Sequence, residues 1–345
     1  MQSDENIIDN DAEKAMQSKE RSGTYAMKSP TTKRIPTKDV RLNRHSNTLN
    51  QIRKNYEIYI MLIPILAYFI IFCYAPMGGL QIAFRDYKTS KGIWGSTWVG
   101  MKHFLRFFRS PMFKTLVGNT LRLSLYSLIA GFLPPILLAL LLNYQKNTKL
   151  KKFVQSLSFA PHFISTVVFV GMIRLFTAQY NGVFNHLLEA IGLERINFLA
   201  SKEIFPHLYV WSGIWQGMGW SAIIYIGALS AVSPELHEAA IADGATLLQR
   251  IWHIDIPGIM DTILINTILK CGSLMTIGFE KVYLMMNDLN AGTSEVISTY
   301  VYEQGLLGGQ LSYSTAIGVF NSVINMILLI LVNQLSKRAR NVSVF

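Results

Sequence analysis

Charge is scarce in this chain of 345 residues: 15% of its side chains are Asp, Glu, Lys or Arg, against roughly 25% in an ordinary soluble domain. That shortage argues against a water-exposed globule. Cysteine is scarcer still. The two that occur, Cys73 and Cys271, both fall inside apolar stretches, so they imply no disulfide framework and read as small hydrophobic groups. No Gly-x-x-x-x-Gly-Lys-Ser/Thr phosphate loop occurs, which excludes an ATPase of that type within the chain. No Gly-x-Ser-x-Gly elbow occurs either, removing one common hydrolase signature. The seven histidines are scattered, and His237 and His253 stand sixteen apart without cysteine nearby, so no metal site is expected. No repeat of 20–50 residues is visible, nor the inverted halves common in secondary transporters. The chain is therefore not read as an enzyme.

What is abundant is apolar sequence, half of all residues. Stretches long enough to cross a bilayer, about 17–25 residues, lie near 58–80, 116–143, 157–178, 208–232, 260–285 and 314–335. The expected fold is all-α, a polytopic membrane protein with about six transmembrane helices. No short apolar core with a small-residue cleavage site opens the chain, so the first stretch is expected to be an anchor. Four parts follow: a polar, disordered cytoplasmic tail over 1–55; a first span with an external amphipathic segment over 56–115; a five-helix core over 116–336; and a short tail over 337–345. The external segment alternates Phe104, Phe107, Phe108 and Phe113 with Lys102, Arg106, Arg109 and Lys114, a pattern suited to the lipid headgroup region.

The net charge of +11 does not form one patch, so nucleic acid is not the expected partner. With the amino terminus inside, the inside segments 1–57, 144–154, 233–258 and 336–345 hold 19 Lys and Arg, and the outside segments hold 9. The excess favours both termini in the cytoplasm. The stretch 85–115, which alone holds seven basic residues, opposes that reading.

Prolines and small residues mark further features. Pro134-Pro135 predicts a kink in the second stretch. Gly213, Gly217 and Ser221, four apart, form a stripe that permits close helix contact. Between the last two pairs of spans, 233–258 is polar. Ser233 suits an N-cap and Pro234 the first helical position, with Glu235 and Glu238 near the positive end of the helix dipole. Gly244 can take the left-handed conformation that closes a helix. A second short helix, TLLQRIWHI, is expected to stop at Pro257. Ala239, Ala240 and Ala242 give the first helix a small-residue face, shaped for another molecule's groove.

These residues carry a resemblance. Glu238-Ala239-Ala240, Asp243-Gly244-Ala245 and Ile254-Asp255-Ile256-Pro257 resemble the EAA loop of permease subunits of binding-protein-dependent ABC importers, with Ile256 the one departure, in place of Leu. GVFNHLLEAIGL resembles an external stretch of the sugar permeases, the segments MLIPILAYFIIFCYAPMGGLQIAFRDYKTSKGIWGS and YVYEQGLLGGQLSYSTAIGVFNS are similar to their polysaccharide and oligosaccharide branch, and the likeness covers about 55–340. The resemblance implies the ABC importer permease fold, in which the loop is a cytoplasmic coupling helix docked on an ATP-binding subunit. Glu238, Ala239, Ala240, Asp243, Gly244 and Ala245 would then make that contact. It implies four kinds of partner chain or surface: a second homologous permease, two ATP-binding subunits that bind ATP and Mg, an extracytoplasmic sugar-binding protein, and the inner membrane of a bacterium. This chain would bind no cofactor.

The substrate path is read from the residues. Ionisable groups within spans cost about 2.5–3.5 kcal/mol at mid-membrane and usually face a bundle interior or water. Arg122, Arg174, Lys270, Glu280 and Lys281 qualify; Glu280 and Lys281 lie near an outer end where snorkelling is cheap, and Lys270 is deeper. Sugar recognition also favours aromatic faces beside hydrogen-bonding groups, offered by Trp215, Gln216, Trp220 and Tyr225 in the fourth stretch and by Asn321 and Asn325 in the sixth. Packing and interfacial anchoring are the competing roles for these side chains. Cations facing the path would make an acidic, uronate-containing oligosaccharide attractive. The reading is one half of the pore of an oligosaccharide importer. An importer permease for another polar solute and a gradient-driven transporter stay open as alternatives.

Overall fold

The computed structural model describes residues 54–340. The tail expected over 1–55 lies almost wholly outside the described residues, and so does the end of the tail placed at 337–345. The chain divides into two units, the first ending at Phe72 and the second beginning at Cys73. In the first, α1 (Tyr56–Tyr68) tolerates Pro64 internally and buries none of its side chains, the behaviour of a helix that is apolar all round.

The second unit opens with helical turns through Phe84, followed by a hairpin that hydropathy did not foreshadow. Its strands, β1 (Arg85–Asp86) and β2 (Thr97–Trp98), pair antiparallel. Arg85 closes it, donating to the Ser96 carbonyl at 2.9 Å with its guanidinium against the rings of Trp94 and Trp98. Next comes α2 (Lys102–Phe108), the expected amphipathic segment. Its aromatic face is turned to protein, not to headgroups alone: Phe104 and Phe107 are buried, and Phe107 meets Phe113 and Phe320 edge-on at 5.0 and 5.5 Å. Leu105 and Phe108 stay exposed. Burial also pulls the His103 imidazole below its ordinary pKa.

The following helices run α3 (Met112–Ala130), α4 (Leu133–Tyr144), α5 (Thr148–Phe159) and α6 (Thr166–Phe176). The kink expected at Pro134-Pro135 is instead a restart: the backbone breaks at Gly131-Phe132, and both prolines sit in the first turn of α4, where no N–H is needed. The third stretch is bent through 101°. Pro161 lies in a 3-10 turn, Ile164 and Ser165 are extended, and the Ser165 side chain caps α6 by accepting from the Val168 N–H.

The chain then forms α7 (Val183–Ala190), α8 (Ile204–Ser230), α9 (Pro234–Ala242), α10 (Leu247–Arg250), α11 (Met260–Gly272), α12 (Phe279–Met285), α13 (Ile297–Tyr302) and α14 (Leu311–Arg340). α14 therefore continues past the expected core boundary at 336. By length and composition, three near-continuous helical runs among the described residues can cross a membrane, Tyr56–Phe84, Met112–Tyr144 (α3 and α4 together) and Leu311–Arg338, or four if the bent pair is one span. Six were expected. The difference has identifiable causes. α8 has 27 residues, about 40 Å of helix, but Trp, Gly, Ser and Gln dilute its hydropathy. The fifth stretch is split between α11 and α12 by non-helical backbone at residues 273–278.

α8 is the common neighbour. One part of it packs Phe205, Tyr209 and Val210 against Phe169, Val170 and Ile173 of α6 and Val282 and Met285 of α12. Another packs Ala222, Tyr225 and Leu229 against Ile136 and Leu140 of α4 and Ile263 of α11. In lipid such contacts act through close packing, since the bilayer is as apolar as the core. The closest approach is at Gly219, where an added Cβ would stand 2.0 Å from the Ser158 carbonyl oxygen of α5. A backbone oxygen cannot step aside. Gly219→Ala is therefore expected to push α8 from α5 and cost about 1–3 kcal/mol; an unchanged melting temperature in detergent would show the crossing to be loose.

Candidate functional site

The polar segment after α8 folds into two helical pieces around a fixed corner. Ser233 has extended N-cap geometry but its side chain makes no capping bond, and Pro234 occupies N1 of α9. At the far end Gly244 has φ of +77°. The Gly244 N–H donates to the Ile241 carbonyl at 3.0 Å and the Ala245 N–H to the Ala240 carbonyl at 2.8 Å, the paired bonds of a Schellman closure. Thr246 begins α10 with a reciprocal capping box: its side chain accepts from the Gln249 N–H, and the Gln249 side chain accepts from the Thr246 N–H at 2.7 Å. Closure and box together set the corner between the two pieces.

Pro257 does not stop the second piece as expected. The backbone widens into a π turn over Ile251–Asp255 and stays helical through Gly258. A π turn shifts the hydrogen-bond register, which lets the chain carry a proline that cannot donate. The small-residue face is present, with Ala239 and Ala242 exposed. Large apolar side chains accompany it: Leu236 and Ile241 on α9, Leu248 on α10 and Trp252 in the π turn are all exposed. Ala240, Asp243, Gly244 and Ala245 border a hollow of about 340 Å³ between the pieces.

One buried carboxylate ties this segment to the bundle. Asp255 is fully buried. Its Oδ2 accepts from the Tyr144 hydroxyl at the end of α4 at 2.5 Å, and its Oδ1 lies 3.4 Å from Nε2 of His237 on α9. The Arg250 guanidinium covers the Tyr144 ring at 5.7 Å. The sequence named Asp255 and His237 but could not join them: their approach depends on π-turn geometry, and the Tyr144 hydroxyl that completes the group comes from 111 residues away.

A second feature lies along α8. A cavity of about 240 Å³ is bordered by Ser127, Tyr209, Gln216, Ser221, Lys270 and Lys281, among others. A neighbouring cavity of about 290 Å³ shares Ser127, Tyr209 and Lys270 and adds Ser124, Ser273 and Thr276. Among the described residues, no Asp or Glu lines either one. The stripe of Gly213, Gly217 and Ser221 borders the first cavity, so its small side chains leave space open; the glycine that brings helices together is Gly219.

Of the residues read as substrate-path candidates, Gln216 and Lys270 meet in this cavity. Gln216 also donates to the Ile164 carbonyl at 3.1 Å. The others lie elsewhere. Trp215 stacks on Phe169 and lines a separate apolar pocket with Trp211 and Phe176. Trp220 stacks on His162 at 4.5 Å. Tyr225 is buried in the packing between α8 and α4. Asn325 secures the break in the fifth stretch, accepting from the Met275 N–H and donating to Thr276 Oγ1, both at 2.8 Å. The buried Oδ1 of Asn321 has no hydrogen-bond partner among the described residues. Arg122 and Glu280 are exposed, and Arg174 donates to the Leu284 carbonyl. Lys281, set aside in the sequence as an outer-end residue, is half-buried and donates to the Tyr209 carbonyl at 2.8 Å. The signal that could have found it is Gly213, whose missing side chain leaves room for the Lys281 ammonium.

The family described as "Binding-protein-dependent transport system inner membrane component" matches residues 135–341. The chain is 47% identical over 281 residues to the polygalacturonan/rhamnogalacturonan transport system permease protein YteP of Bacillus subtilis, covering 81% of this chain and 88% of that protein. It is 41% identical to Protein LplB of the same organism, over 83% and 90% of the two chains. A chain from the crystal structure of a bacterial ABC transporter involved in import of the acidic polysaccharide alginate superposes with a TM-score of 0.79 at 37% identity, covering 85% of this chain and 99% of that one. A second structure shows a bacterial alginate ABC transporter in complex with an alginate pentasaccharide-bound periplasmic protein; its matching chain has the same TM-score and identity.

Proposed function

The chain belongs to the family of binding-protein-dependent transport system inner membrane components, and on that premise we propose that it forms half of the pathway of an ATP-driven importer for oligosaccharides, uronate-bearing ones among them. The observation that carries this reading is the Schellman-closed corner at Gly244 followed by the Thr246–Gln249 box. Such a corner presents a short rigid element with small and apolar side chains exposed, as docking into a partner's cleft requires.

In this reading Glu238, Ala239, Ala240, Asp243, Gly244 and Ala245 form the contact with an ATP-binding subunit, and that subunit binds ATP and Mg. The chain's own part is mechanical and does no covalent chemistry. A second permease completes the pore, and an extracytoplasmic sugar-binding protein delivers the cargo, with both termini of this chain in the cytoplasm. Shifting a pore from mostly inward-open to mostly outward-open needs a differential affinity of about 5.5 kcal/mol, which ATP-driven closure of docked subunits can supply. The names of the relatives support the cargo: polygalacturonan and rhamnogalacturonan for one, alginate for another.

Purifying the tagged chain in mild detergent from its host tests this directly. A P-loop ATPase and a second permease are expected to come with it, with ATP hydrolysis stimulated by the sugar-loaded binding protein. A lone chain, silent toward ATP under conditions that hold other such complexes together, would overturn the reading in favour of a gradient-driven transporter.

A further inference from the structure

We propose that the cavity beside α8 holds a carboxylate of the passing sugar between Lys270 and Lys281. This rests on the reading of the chain as a sugar permease and adds to it the subsite that recognises charge. The two ammonium groups stand on either side of the break at residues 273–278, Lys270 in the last turn of α11 and Lys281 in α12. Both border one cavity, and among the described residues no acidic side chain lines it. Neither lysine forms an ion pair among the described residues.

Two cations inside a membrane protein without counter-ions are costly, and an arriving anion relieves that cost. The lysines differ in how they are held. Lys281 is fixed: it donates to the Tyr209 carbonyl at 2.8 Å, and its ammonium lies 4.7 and 5.3 Å from the ring centres of Tyr209 and Phe169. Gly213 leaves it space, since a Cβ there would come within 3.1 Å of the Lys281 Nζ. Lys270 is exposed, and among the described residues no side-chain hydrogen bond holds it. One preset ammonium and one free to close make a clamp that can grip and release, as a conducting site must.

The rest of the lining points to a sugar acid, not a bare anion. Gln216, Ser127 and Ser221 line part of the cavity beside the apolar Pro135, Val210, Ile214 and Met218, and Ser124, Ser273 and Thr276 border its neighbour. Amide and hydroxyl groups both donate and accept, so they suit the hydroxyls of a pyranose ring. Non-helical backbone at membrane depth is tolerated where it lines a polar cavity. Here the Asn325 side chain secures it on one side.

The experiment is transport by the whole complex in proteoliposomes, with binding protein and ATP, of a uronate oligosaccharide and of the same oligosaccharide after its carboxylates are reduced to primary alcohols. Lys270→Gln is expected to lower uronate transport roughly tenfold or more, while transport of the reduced sugar changes less than about twofold. Lys270→Arg, which keeps the charge, should restore much of the uronate transport. Equal loss on both sugars, or no loss on either, would overturn the proposal. Because Lys281 is packed against two rings, Lys281→Gln serves only as a second test, scored by the ratio of the two sugars and not by total activity; an unchanged ratio counts against the site. A wild-type complex that moves neither sugar, with ATP hydrolysis indifferent to the loaded binding protein, would sink the importer reading itself and the subsite with it.

Discussion

Gly244→Val is expected to abolish transport while leaving the chain inserted in the membrane and assembled through its spans. The left-handed backbone at Gly244, φ +77°, costs an ordinary L-residue about 1–2 kcal/mol, and a β-branched one more. Volume is not the obstacle within this chain, since an added Cβ would meet nothing within 4 Å. Valine therefore acts through conformation. It opposes the bonds from Gly244 to Ile241 and from Ala245 to Ala240, so the corner between α9 and α10 opens. Transport and sugar-stimulated ATP hydrolysis should both fall by at least about tenfold, the equivalent of 1.4 kcal/mol. Asparagine separates two causes, because its side chain tolerates the left-handed region. If Gly244→Asn retains transport, backbone conformation is what the position supplies; if it fails as valine does, a partner approaches too closely for any side chain. Normal transport by the valine variant would remove the mechanical role proposed for the loop.

Cutting the buried tie at Asp255 should have a comparably large effect of a different kind. Asp255→Ala removes the acceptor of the Tyr144 hydroxyl and the neighbour of His237. Each buried polar group left unpaired costs about 1–3 kcal/mol, and α9 loses its side-chain connection to the end of α4. The docking surface itself is untouched, so ATP hydrolysis is expected to continue while sugar moved per ATP drops by about tenfold. Tyr144→Phe, which deletes one hydroxyl, should fall between wild type and Asp255→Ala in the same ratio. A parallel loss of hydrolysis and transport, with a lowered melting temperature, would mean that Asp255 only stabilises the loop and transmits nothing.

The two sites differ in how far the sequence exposed them. The loop is local: its proline at N1, its left-handed glycine and its capping residues act within a few positions of one another. Its corner is accordingly where the spacing around Gly244 placed it, even though Pro257 is absorbed by a π turn and does not end the helix. The cavity is assembled from α3, α4, α8, α11 and α12, and local pattern said little about it. Aromatic residues on α8 suggested a sugar path, yet Trp215, Trp220 and Tyr225 pack against Phe169, His162 and the α4 face. Gln216 and Lys270 do reach the cavity, and Lys281 joins them from beyond a helix break that average hydropathy cannot see.

By itself, then, the sequence determined an all-α membrane chain, the class of importer it resembles, and the bent polar loop, because hydropathy and backbone propensity are properties of neighbouring residues. Only the tertiary structure decided which stretches are continuous helices, which glycine marks a helix crossing, that Asp255 joins α4 to α9, and that two lysines share an acid-free cavity. Contacts such as Asn325 with Met275 and Tyr144 with Asp255 join side chains 50 residues or more apart, and nothing in a local window records which distant partner will fill the space or satisfy the charge.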